Sequence, residues 1–532
     1  MKDLKTEWRN FIRENRMTPW ICAAAVALSY GIALSGLRIG VDSEYNMCDP
    51  DGLLRSWYSV SRYSLVWLKN LFGMRMLNPF AENLLMMAVM TLCGIFASFA
   101  FYSFSGGSPK MKGFCAVFPL LFLTHPCYVQ QYVFTLQAFE VAACMFICLA
   151  AAFCSARWAC GGNWSFGAAG VLLMVFGFGG YQALVPFYMA AALGIYLVYF
   201  EFHENHEKGF YLRAALCHLA AFLAGYALYT LTGYAVTRCV FGPEFEGQYL
   251  EGQILWSSHP VRECIGFMKS YIRTVLLGEN EFYPGTFLPF SVFFALRLLW
   301  VWGTKRRGEF LLYALAALAL ALSPFYLCFY QGGGILIRSQ MSLPFASAFF
   351  GASLLFFAAG PLTGTAARNE ARPGADTGRM RRPAALLAAA VLVVCGVNQG
   401  TTSSRAMLTA HMTYEADRMT AMQIAGSLRH LGVSEAGTHI AMLGQYHPYL
   451  PQSASIRRES VGYSLFEWDY QGPAGVSRRG AGFMRVHGLP YEAATEEEYK
   501  KAEEYGASMP CWPAAGSVAL MGDVVIVKFS EE

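Results

Sequence analysis

Apolar runs of about twenty residues, separated by short polar stretches, recur along roughly the first four hundred positions of this chain. At 1.5 Å of helical rise per residue, such a run crosses the roughly 30 Å of hydrocarbon in a bilayer. In order, the runs predict about eleven transmembrane helices: 20–38, 80–104, 113–124, 133–154, two within 166–200, then 213–236, 285–303, 310–330, 335–360 and 384–398. The stretch 166–200 is too long for one span, and Gly177, Gly179 and Gly180 at its middle predict a tight turn. Beyond about residue 400 the pattern changes. Met412, Ala416, Met419, Met422, Ile424 and Leu428 predict a helix from Arg405 to Leu431. THIAML then reads as a strand, SLFEWD as a strand or turn, GVSRRGAGFMRVHGL as a short helix, EEEYKKAEEYG as a solvated segment and SVALMGDVVIVKF as a β-hairpin. The expected fold is an all-α polytopic membrane protein with a small C-terminal α/β domain.

The polar stretches set the expected orientation. Lys2, Lys5, Arg9, Arg13 and Arg16 precede the first run and place the N-terminus in the cytoplasm. No small-residue cleavage site follows that run, so it is expected to remain as a span. Alternating sides from there puts Lys110, Lys112, the TKRRGE turn and the Arg-rich 361–383 linker inside. The organisation expected is a cytoplasmic amphipathic segment 1–19, a membrane domain 20–399 with outer loops 39–79 and 238–284, and an extracytoplasmic domain 400–532. The later half of the second outer loop reads as an amphipathic helix at the interface.

Composition sharpens this reading. Of 532 residues, 55% are hydrophobic and 14% charged, with mean hydropathy +0.35; soluble proteins carry about 25% charged residues. A net charge of +4 gives no reason to expect nucleic acid as a partner. Most of the fifteen cysteines lie inside apolar runs, and no Cys/His spacing suggests zinc. Cys48, Cys127, Cys264 and Cys511 fall on the expected outer side, where a disulfide could form. There is no phosphate-binding loop, nucleotide fingerprint, HExxH or nucleophile elbow, which argues against ATP-driven transport and cytosolic nucleotide-sugar chemistry.

The candidate chemistry concentrates after the first span. Asp42, Glu44, Asp49 and Asp51 lie in one short stretch, followed by an Arg- and aromatic-rich amphipathic run from Leu53 to Phe72. Asp42 or Glu44 is placed to take a proton from an acceptor hydroxyl while a lipid-linked donor lies in the adjacent leaflet. The carboxylates could instead hold a divalent cation, Mg or Mn, against a phosphate; no other metal or cofactor is expected. Arg338, three residues into the tenth apolar segment, is the first candidate for a donor phosphate, with Arg62, Arg262 and Arg273 behind it. His125, Gln131, Tyr181, Gln182 and His259 are expected on the same face, where hydrogen-bonding and stacking groups suit a sugar.

The chain resembles the Gtr-type glucosyltransferases that modify bacterial O-antigen and related surface glycans. Four stretches carry the likeness: IGVDSE with RYSLVWLKNLF; GGYQALVPFYMAAAL; the span ending at Asn398 with the helix bearing Asp417 and Ile424; and GYSLFEWDY with GFMRVHGL and the terminal SVALMGDVVIVKF. The resemblance implies a GT-C-like membrane enzyme that uses a polyprenyl-phosphate sugar donor, by family default glucose, on the outer face of the bacterial plasma membrane. It implies a catalytic carboxylate in the first outer loop, Asp42 or Glu44. It also implies acceptor binding by the C-terminal domain through Phe466, Trp468 and Asp469. The expected partners are that donor, a surface polysaccharide or glycolipid acceptor and membrane lipid, with a donor synthase and a flippase upstream. A lipid-linked sugar flippase would spread charges across its spans, whereas here they gather at the ends. A polysaccharide ligase or polymerase would need a larger outer loop.

Overall fold

The apolar runs become helices, and the boundaries follow local rules. The computed structural model describes residues 3–36, 38–203, 209–245, 251–302, 307–358, 377–433, 437–452, 455–467 and 474–531. Helix Pro79–Phe104 starts with Pro at its first position, and the Asn78 side chain accepts from the Ala81 amide at 3.1 Å. The expected break after Gly177 is present: helix Trp164–Phe178 ends and Leu184–Phe202 begins. Gly179 is obligatory there, because a Cβ would strike the Tyr63 ring, whose hydroxyl donates to the Val175 carbonyl at 2.7 Å.

Among the described residues six helices are long and apolar enough to cross a membrane, or eight if each of two bent pairs counts as one span. One pair joins the amphipathic Leu4–Glu14 to Thr18–Leu34 at 70°; the other joins Met111–Leu123 to Pro126–Val133 at 43°. Trp164–Phe178, Phe287–Leu299 and Ser342–Phe356 are shorter apolar helices. The amphipathic helix expected in the second long loop is Val261–Leu277.

Three local expectations change. The tenth apolar segment is not helical from residue 335: its helix begins at Ser342, with Pro344 in the first turn, and Arg338 lies in a single 3-10 turn ahead of it. The acidic stretch is not an open loop but two short helices, Ser43–Cys48 and Pro50–Ser59. The last apolar run and the helix expected from Arg405 are one helix, Thr377–His430. Its 54 residues span about 80 Å, far more than the roughly 30 Å of hydrocarbon.

The C-terminal region forms a four-stranded sheet in the order β2-β1-β4-β3. Here β1 is His439–Leu443, β2 Glu492–Ala493, β3 Val518–Met521 and β4 Val524–Lys528. The expected terminal hairpin is β3–β4, antiparallel with Val518 opposite Val527; β1 runs parallel to β4 with Ile440 opposite Val525. Helix Gly475–Val486 crosses between β1 and β2. Helix Glu496–Gly506, expected as wholly solvated, buries Tyr499 and Ala502 and starts with a Thr495/Glu498 capping box. The long helix is tied to this sheet region: Asp417 accepts from the Ser464 hydroxyl at 2.6 Å and the Leu465 amide at 2.9 Å. All fifteen cysteines, including Cys48, Cys127, Cys264 and Cys511, are unpaired. The basic linker 361–383, the TKRRGE turn, Trp468 and Asp469 fall largely or wholly outside the described residues.

Candidate active site

The carboxylate stretch is built onto the end of the bundle by close backbone packing. A Cβ on Gly40 would collide with the Val133 carbonyl, so the strand of chain leading to Asp42 lies directly on the Val133–Phe134 segment. Asp42 itself holds φ 67°, a left-handed conformation uncommon for a side chain other than glycine. Such strain persists where surrounding structure fixes it.

What fixes it is a side chain 435 residues away along the chain from Glu44. Arg479 Nη1 donates to Glu44 Oε1 at 2.5 Å and stands 2.6 Å from Asp42 Oδ1. Arg479 lies on the same face of helix Gly475–Val486 as buried Val476 and Phe483. That helix approaches so closely that a Cβ on Gly482 would lie 3.1 Å from Glu44 Cγ. Glu44 is 1% exposed and Asp42 33%. Burial pushes the Glu44 carboxyl up to about 7; Arg479 pulls it down and the Asp42 charge pushes it up again. The two carboxylates hold the Arg479 guanidinium firmly charged against the cost of its own burial. Among the described residues Glu44 Oε2 has no hydrogen-bond partner. The place between the carboxylates that a divalent cation would take is filled by the guanidinium. Among the described residues no group of three or more His, Cys, Asp or Glu side chains could hold a metal.

A second cluster lies across Val133–Phe134. The Arg338 guanidinium sits 4.8 Å over the Phe134 ring, and its carbonyl accepts from Gln131 Nε2 at 2.8 Å. Tyr181 bonds Ser339 at 2.9 Å, and Arg62 covers the Tyr181 ring at 4.8 Å while donating to Gln182 Oε1 at 3.3 Å. Glu459 reaches in from the C-terminal region and accepts from the Ile337 amide at 2.6 Å. Its carboxyl is raised by burial, with the Ile337 amide and the Arg338 charge acting in the opposite direction. So Arg62, Arg338, Gln131, Tyr181 and Gln182 come together.

The remaining candidates lie elsewhere. His125 is buried, with its Nδ1 accepting from the Cys127 amide at 3.4 Å and its carbonyl taking the Tyr30 hydroxyl at 2.9 Å. His259, Arg262 and Arg273 are exposed on or beside helix Val261–Leu277. Arg273 pairs with Glu279 at 2.9 Å and His259 with Ser258 at 2.9 Å.

Sequence reasoning missed Arg479, Glu459 and a buried triad that anchors the whole edge. Lys69 Nζ lies 2.5 Å from Glu82 and 3.0 Å from Glu140, all three 0% exposed. This triad pins helix Tyr63–Leu71 to the helices beginning at Pro79 and Ala138. The readable signal was a charge at a core-facing position: Arg479 three residues after Val476 and four before Phe483.

Long apolar helices make the chain a membrane protein, and paired carboxylates, arginines and aromatic side chains meet around its Val133–Phe134 segment. Residues 33–356 match the family model described as Glucosyl transferase GtrII. The match covers well over half of the chain, which belongs to that family and so to the glycosyltransferases. It begins just before the carboxylate stretch and ends before the region that supplies Arg479 and Glu459. No curated protein and no solved structure matches the chain.

Proposed function

We propose that the protein transfers a hexose, glucose by the family's name, from a polyprenyl-phosphate donor to a surface polysaccharide or glycolipid. The reaction takes place on the outer face of the bacterial plasma membrane. The observation that carries this reading is the carboxylate pair on Arg479, at the end of an apolar bundle and inside the stretch matched by the family. Asp42 is the acting carboxylate, because it is the one open to a substrate; Glu44 and Arg479 set its charge environment. The acceptor hydroxyl gives its proton to Asp42 as its oxygen bonds to the anomeric carbon. The polyprenyl phosphate departs with the electron pair of the broken C–O bond, and Arg338 and Arg62 offer charge to that leaving group. Gln131, Tyr181 and Gln182 line the sugar side, with Trp468 and Asp469 assigned to the acceptor by family likeness.

The three shorter apolar helices complete a set of eleven spans in a GT-C-like arrangement with the N-terminus inside. The sheet region then stands outside the membrane, above the carboxylates. A donor synthase and a flippase supply the lipid-linked sugar.

The test is transfer of labelled sugar from a polyprenyl-phosphate donor by purified protein in lipid. Asp42→Asn should abolish transfer while the protein remains folded, and Glu44→Gln should reduce it. Full activity in Asp42→Asn would remove Asp42 from the chemistry; no transfer by folded wild type from any common hexose donor would favour the flippase reading.

A further inference from the structure

Helices Thr18–Tyr30, Met111–Leu123 and Thr377–His430 enclose a groove of about 620 Å³, within the range of ligand sites. Its lining is graded. Ala24, Ala116 and Gly396 keep it deep at one end, while its polar side chains are Ser29, Thr124, Thr401, Ser404 and Arg405. In each of the three helices the polar lining comes last, at the end that leads to the carboxylate stretch. An amphiphile with an anionic head matches that order.

The groove face continues along the long helix. Gly400, Ser404, Met407 and His411 follow one another at helical spacing. The Met407 carbonyl accepts from Arg38 Nη1 at 3.1 Å, and the Met407 sulfur lies 3.9 Å from Arg38 Nη2. Arg38 is 4% exposed, and among the described residues no carboxylate lies within ion-pair distance of it. A buried cation without a counter-ion is costly, and it persists where an anion is to be received. Arg38 also lines a cleft of about 30 Å³ with Gly40 and Val41, the residues that lead into Asp42. Thr413 closes the same cleft, about 12 Å along the helix axis from Arg405. Apolar groove, Arg405, Arg38 and Asp42 therefore follow one path.

We propose that this groove seats the polyprenyl chain of the donor, with Arg38 as the group that receives its phosphate. This rests on the glycosyltransferase reading and adds a third cation to Arg62 and Arg338. One groove ending at one buried guanidinium fits a single-chain lipid monophosphate; a two-chain bilayer phospholipid is the competing occupant.

The test is binding of a fluorescently labelled polyprenyl monophosphate to the full-length protein in phosphatidylcholine vesicles. Wild type should bind it, with competition by unlabelled polyprenyl monophosphate but not by the neutral polyprenol, inorganic phosphate or phosphatidylglycerol at equal concentration. Arg38→Gln should weaken binding at least ten-fold, with Arg38→Lys recovering part of it. Ala24→Trp, which fills the groove away from Arg38, should weaken it as much. Wild-type affinity in both Arg38→Gln and Ala24→Trp would overturn the proposal while leaving the enzyme reading in place. Equal competition by phosphatidylglycerol would mark the groove as a bilayer-lipid site and overturn it likewise. Wild type that neither binds the probe nor transfers sugar from such a donor would overturn the reading and this inference together.

Discussion

Replacing Arg479 by Met takes one guanidinium from between two carboxylates and leaves a side chain of similar length. Asp42, 33% exposed, can be solvated again; Glu44, 1% exposed, cannot. Breaking a buried pair by removing one partner costs about 3–5 kcal/mol. Proton uptake caps the loss, because Glu44 already titrates near 7 and climbs further without the cation. The expected destabilisation is about 3 kcal/mol at pH 8 and less at pH 6, where a proton takes the guanidinium's place. For a chain of 532 residues each kcal/mol moves the unfolding temperature by about 1 °C. Thermal unfolding in detergent should therefore show Arg479→Met melting about 3 °C below wild type at pH 8. The double variant with Glu44→Gln should recover more than half of that, because no buried charge is then left unpaired. A double variant that melts no higher than Arg479→Met at pH 8 would refute the reasoning.

Two further outcomes follow from buried charges. Lys69→Met leaves Glu82 and Glu140 facing each other at 0% exposure without their cation. It should cost about 3–5 kcal/mol and collapse the yield of monodisperse protein, while Lys69→Met with Glu82→Gln and Glu140→Gln should restore that yield; equal yields from the single and triple variants would show that charge is not the cause. Glu44 also makes stability depend on pH. Its folded-state value of about 7 lies above the ordinary 4.5, so the folded chain holds the proton more tightly. That contribution is full below 4.5 and is lost as pH rises through 7, on the order of 3 kcal/mol at 1.36 kcal/mol per unit. The unfolding temperature should fall across that window and level off above it, and Glu44→Gln should lack the slope.

The spans were legible because membrane helices announce themselves in runs of apolar residues, and the turn after Gly177 because glycines cluster where two such runs meet. The terminal hairpin was legible for the same local reason: two apolar runs around Met-Gly-Asp, the second β-branched from Val524 to Val527. Arg338 was placed inside a helix because apolarity continues from residue 335, yet Pro344 marks a first turn and puts the helix start at Ser342. An apolar run ending at 398 and a separate helical spacing from Arg405 predict two helices, although no proline stands from Thr401 to His430 and one helix carries through. The candidate site was half legible. Asp42 and Glu44 stand out beside a span, but the cation that joins them arrives from a crossover helix 435 residues after Glu44, and no local pattern reports a partner that distant.

Because helix Thr377–His430 runs unbroken from the apolar bundle into the sheet region, the two cannot swing independently. The part beyond residue 400 reaches about 45 Å. Arg479 ties the sheet region to Asp42 and Glu44 at a second place, so rod and ion pair together brace that region against the bundle, and loosening either one leaves the other as a hinge.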